Sequence, residues 1–134
     1  MHRMAFGALA VALLVGCGAS DETAEGTQAL ASEGGHFRGS FTPEPDPPTT
    51  GENALALGLT DASGVAIDGA TLAADPWMPS MGHGSPVAPT SVELGGGDYR
   101  IEHLSYTMPG DWEVRVDVSA GGVTDRFVVP LGVQ

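Results

Sequence analysis

The chain has 134 residues, enough for one domain with a small core. Seventeen Asp and Glu stand against five basic side chains, none of them a lysine. The balance excludes a nucleic-acid surface or a basic patch for anionic lipid, and it favours weak attraction of cations.

The first segment, "MHRMAFGALAVALLVGC", has a short basic start at His2 and Arg3. An apolar run from Ala5 to Val15 follows, too short to span a bilayer, so residues 1–17 read as a secretory signal. Its ending, "LVGC", Leu14 to Cys17, resembles the lipobox of bacterial lipoproteins, in which the signal is cut before a cysteine that is then acylated. Cys17 is the only cysteine, so an intramolecular disulfide is excluded and lipid attachment is the expected use of its thiol. With no basic patch, lipid is the expected route to the membrane. Gly18 and Ala19 follow, with no aspartate directly after the cysteine, which by resemblance to enterobacterial sorting favours the outer membrane over the inner. Residues 18–35 are small, polar and acidic without apolar periodicity, and read as a flexible tether.

Residues 36–134 change to short alternating runs bounded by turn residues, the pattern of an all-β sandwich or barrel. "HFRGSFT" is a weak first strand, followed by the proline-rich Pro43 to Glu52 connector. "NALALGLT" puts Leu55, Leu57 and Leu59 on one face before a turn at Asp61 to Gly64. A third strand is expected from about Val65 to Ala74. Next comes "DPWMPSMGHGSP", Asp75 to Pro86, in which two methionines and a histidine sit among prolines and glycines. "TSVEL" and "DYRIEHL" flank the triple glycine Gly95 to Gly97, a hairpin signal. "WEVRVDVS" turns Trp112, Val114, Val116 and Val118 one way and Glu113, Arg115 and Asp117 the other. In "VTDRFVVPL", Phe127, Val129 and Leu131 alternate. The sum is an immunoglobulin-like antiparallel β-sandwich of about seven strands without the disulfide. Trp77 and Trp112 read as core or core-edge aromatics.

Removal of the signal leaves Met78, Met81 and Met108, all beside proline or glycine and off the alternating positions expected of core residues. Thioether sulfur suits Cu(I) and imidazole also accepts Cu(II), so Met78, Met81 and His83 point to copper before zinc, calcium or magnesium. A hydrophobic loop capping one end of the core explains the same residues. In a sandwich, successive connections alternate between the two ends. That parity puts the proline-rich connector, the Met78/Met81/His83 loop and the "SYTMPGD" loop together, makes Met108 a third sulfur ligand or neighbour, and sends His36 to the opposite end. His103 shares a strand face with Tyr99 and Ile101 and reads as a packed histidine, a weaker candidate ligand.

The Asp-x-x-Gly turn, the Met-x-x-Met-Gly-His loop, the Gly-x-Tyr strand and the Met-x-Gly-x-Trp strand entry, between about Phe41 and Pro130, resemble the YtkA-like (FixH-related) family of bacterial cell-envelope proteins. The resemblance implies an immunoglobulin-like envelope domain associated with copper handling or with assembly of copper-containing respiratory oxidases. A lipobox stands here in place of the membrane helix of the FixH-like branch. No nucleophile elbow, phosphate-binding glycine loop, CxxC, His-Glu-x-x-His or EF-hand loop occurs, so an enzyme is not expected. The expected function is that of a periplasm-facing, lipid-anchored domain binding copper, Cu(I) favoured, as chaperone, buffer or metallation partner. Its expected partners are a copper-containing envelope protein or a metal transporter. The alternative is a non-metal interaction module that docks its Met/Trp-rich end onto a membrane partner.

Overall fold

The computed structural model describes residues 26–134; the signal, Cys17 and residues 18–25 lie outside the described residues. Among the described residues, nine strands form two antiparallel sheets: β1 (Gln28–Ala31), β2 (Phe37–Glu44), β3 (Gly51–Asp61), β4 (Thr71–Met78), β5 (His83–Gly84), β6 (Thr90–Gly95), β7 (Asp98–Tyr106), β8 (Gly110–Ala120) and β9 (Val123–Val133). The first sheet has the order β1-β2-β3-β7-β6 and the second β5-β4-β8-β9.

Alternation decides which side chains meet between the sheets. Leu55, Leu57 and Leu59 of β3 face Trp112, Val114, Val116 and Val118 of β8 and Phe127, Val129 and Leu131 of β9, and all are buried. Phe41 and Phe127 meet edge to face across the core, with centroids 5.1 Å apart. On the outer face of the second sheet, the Arg115 guanidinium covers the half-buried Trp77 ring at 5.3 Å. Trp77 therefore packs outside the core and Trp112 within it.

Two short strands supplement the seven expected. The segment read as tether gives way to β1 at Gln28, because Ser32 supplies a buried anchor at the strand's end. Its hydroxyl accepts from the Phe37 amide at 2.9 Å and donates to Asp125 Oδ2 at 2.7 Å. The third strand also lies later than expected. Residues 62–70 form a connection in which the Asp61 carboxylate accepts the Ser63 and Val65 amides, and β4 begins at Thr71. Met78 consequently ends a strand, in the inward row with Leu72, Ala74 and Pro76, and is not a loop residue.

His103 also departs from expectation. The pairing of β3 with β7 shifts between Asn53 and Leu55, and His103 takes a left-handed φ of 59°. The bulge turns His103 out to solvent against Glu52 and returns Leu104 and Tyr106 to the core. An alternating pattern read without the bulge assigns His103 to the wrong face.

At the end of the sandwich holding residues 62–70, Asp125 also accepts the Gly34 amide at 2.9 Å and pairs with His36 Nδ1 at 3.0 Å. The Ser32 hydroxyl, foremost, holds its carboxyl well below the usual carboxylate range, with further amide bonds and His36 adding to it. A depressed folded-state value means that the stabilisation is present above the unfolded pKa, about 3.9 for Asp, and is lost as pH falls below it. Asp125→Asn is expected to lower the melting temperature at pH 7, and the gap to wild type should close as melts are run from pH 5 down to pH 2. A gap independent of pH would show that the carboxylate charge contributes nothing.

Candidate metal centre at the methionine end

At the end of β4, a four-residue turn returns the chain on itself. The Met81 and Gly82 amides both donate to the Met78 carbonyl, at 3.2 and 2.9 Å, and Gly82 supplies the positive φ of 64° that closes the turn. The return places His83 directly opposite Met78 in the antiparallel ladder. Facing residues in such a ladder have Cβ atoms about 4.5–5.5 Å apart on one face of the sheet, so the thioether and the imidazole share a side.

The same face carries Trp112. The β4–β8 register, in which Trp77 faces Glu113, continues to bring Met78 level with Trp112. The His83 ring meets the Trp112 indole edge to face at 5.8 Å, and Tyr106 packs on its other neighbour side at 5.4 Å. Burial pushes the Tyr106 phenol well above its ordinary value. The Trp112 indole N–H donates to the Met108 carbonyl at 2.9 Å, which fixes the loop between β7 and β8 to the start of β8. Met78 reaches that loop as well: a Cβ at Gly110 would come within 2.6 Å of the Met78 methyl carbon.

The Met78–His83 pair and the Met108 loop thus lie at the Trp112 end of the sandwich, and His36 lies at the other. Met78 is 4% exposed, whereas Met81 on the turn is 55% exposed and projects to solvent. His83 and Met108 are half-buried. Trp112, expected as a core or core-edge aromatic, is the residue around which this end is packed. Its spacing of four from Met108 in "MPGDW", at the start of a strand entering from the methionine end, was the available signal. Among the described residues, no group of three or more His, Cys, Asp or Glu is placed to hold a metal ion. A metal held at this end would have to draw on thioether sulfur and imidazole, a donor set that suits Cu(I) and suits hard cations poorly.

Residues 27–117 match the YtkA-like family. The chain belongs to that family. The YtkA-like match starts at the edge of β1 and runs to the middle of β8, so Met78, Met81, His83, Met108 and Trp112 all fall within it. A crystal structure of a DUF4426 family protein from Pseudomonas aeruginosa PAO1 is similar in fold, with a TM-score of 0.57 at 11% identity over 82% of this chain and 96% of that one. No curated protein matches the chain.

The contact of Met78 with the β7–β8 loop is testable without metal. Gly110 has a φ of 134°, so Gly110→Ala is expected to cost about 1–3 kcal/mol from backbone strain and from collision with Met78. Combining it with Met78→Ala should be less destabilising than the sum of the two by at least about 0.5 kcal/mol, because the collision partner is gone. Strict additivity in denaturant melts would place Met78 away from Gly110.

Proposed function

We propose that this YtkA-like domain is a lipid-anchored cell-envelope protein that binds Cu(I) through Met78, His83 and Met108, with Met81 at the lip of the site. The observation that carries this reading is the facing Met78–His83 pair closed on one side by the Met108 loop. Two thioethers and one imidazole are neutral donors that suit Cu(I), and a monovalent ion bound there leaves one positive charge to desolvate where a divalent ion would leave two. Bound copper would supply a metal to be passed on, not a reaction. The function is that of a chaperone, buffer or metallation partner for a copper-containing envelope protein or a metal transporter. Met81 is the sulfur that an ion arriving from solvent meets before Met78.

A second reading is favoured by the burial of Met78. A side chain 4% exposed in the inward row of β4 also fits a methionine that fills the end of the core, leaving Met81 and the half-buried Trp77 near an interaction surface. Met78→Leu and Met81→Leu separate the two readings, since they keep volume and apolarity while removing sulfur and cost under about 1.5 kcal/mol even in a core. In a competition titration against a Cu(I) chelator, Met78→Leu is expected to weaken binding at least tenfold, Met81→Leu less, with apo stability nearly unchanged. Affinity indifferent to both, with a melting temperature lower by several degrees, leaves the interaction module standing and removes copper.

Anchoring is tested separately. Cys17→Ser is expected to leave the membrane fraction or to remain unprocessed, and mass spectrometry of the wild-type chain should show an acylated N-terminal cysteine. A wild-type chain that is secreted unmodified and freely soluble contradicts the anchor.

A further inference from the structure

The described chain enters the sandwich at the methionine end. Gly26 lies against the proline-rich connector between β2 and β3, where its φ of 82° and lack of a side chain are both required: a Cβ there would sit 2.1 Å from Asp46 Oδ2. The Thr27 and Thr42 hydroxyls are bonded at 2.7 Å, and Gln28 Nε2 donates to the Pro130 carbonyl at 2.6 Å. All three partners lie toward the end where β2 and β9 finish and β8 begins at Gly110, paired with Val133. That is the end carrying Met78, His83 and Met108.

Chain length bounds the distance from Cys17 to this entry point. Nine residue steps reach at most about 30 Å. Strands β8 and β9, eleven residues each, stand about 35 Å tall at about 3.3 Å per residue. Even the full reach of those steps is less than the height of the body they hold. The body carries fourteen carboxylates and four arginines from Gly26 onward, so anionic headgroups repel it and oppose its lying flat.

We propose that the tether holds the methionine end toward the bilayer, and that the site's partner is a membrane-embedded protein with a soft-metal site at the bilayer surface, not a soluble carrier. The proposal rests on the anchored, copper-binding reading above. Exposed Asp46, Glu52 and Asp111 ring this end, which calls for a partner with a basic surface beside its metal entrance.

The test uses the full acylated chain in vesicles of neutral lipid with a fifth of anionic lipid. Cys17 is acylated and no other cysteine exists, so a donor dye can be attached at Thr49→Cys beside the methionine end or at Ala62→Cys at the far end. With acceptor dye on the headgroups, energy transfer from position 49 is expected to exceed that from position 62 at least twofold. Inserting twenty Gly/Ser residues after Ala24 should reduce that ratio toward one. The copper-loaded chain should also deliver Cu(I) to a chelator carried on a lipid headgroup at least threefold faster with the native tether than with the extended one. Equal transfer from both positions in vesicle-bound chain overturns the orientation while leaving copper binding intact. Failure to bind vesicles removes the anchor and the orientation with it. A position-dependent transfer in a chain that binds no copper keeps the orientation and removes the metal exchange.

Discussion

The buried indole of Trp112 is the contact on which one end of this molecule depends. Its N–H fixes the Met108 carbonyl, its ring meets Tyr106 from the first sheet, and its edge meets His83 from the short fifth strand. Two sheets, a loop and an edge strand are thereby tied to one rigid side chain with few rotamers to lose. Without it, the turn after Met78 would have no surface to lie on, and a two-residue strand such as β5 has too few ladder bonds to hold itself. The grouping at this end is a consequence of that packing: the end of β4, β5 and the β7–β8 loop meet around the same ring.

Much of this was legible in the residues, and the parts that were not fail for identifiable reasons. Trp112, Val114, Val116 and Val118 alternate without interruption over a full-length strand, and the period alone identifies the buried face. The gathering of Met78, Met81 and Met108 at one end, away from His36, follows from strand parity. It survives the two extra strands because β1 precedes the first counted connection and β5 is too short to cross the sandwich. His103 departs from its expected face because a bulge leaves no period-2 trace: one extra residue between Ile101 and Leu104 exchanges inside for outside. Met78 departs from its expected loop because proline at position 76 argues against a strand, whereas here Pro76 is buried in β4 opposite Val114. Reading that strand four residues longer turns a loop methionine into an inward one, which is why core packing and metal binding compete as explanations.

The opposite end is organised by polar bonds instead of aromatic packing. Asp125 gathers the Ser32 hydroxyl, the Gly34 and His36 amides and the His36 ring, and so locks the β1–β2 turn onto β9. Glu33 adds a backbone bond to Arg126. These contacts close one side of the sandwich, where the edges β1 and β9 meet. The body is thus pinned at both ends by different physics, apolar and thioether-rich at one and hydrogen-bonded at the other.

The other side of the sandwich is left with a bare edge at β6, whose six residues are all exposed, Leu94 at 62%. An unpaired strand of that kind invites a neighbouring copy to extend the sheet, and confinement of many copies to a two-dimensional surface would raise the encounter rate. Several features make the edge a poor template. Pro89 precedes the strand, the register slips between Glu93 and Gly95, Glu93 spends a carboxylate oxygen on the Gly69 amide, and three glycines end the strand. The consequence is a surface that resists self-association by shape and charge, so that crowding such domains together need not convert them into a shared sheet.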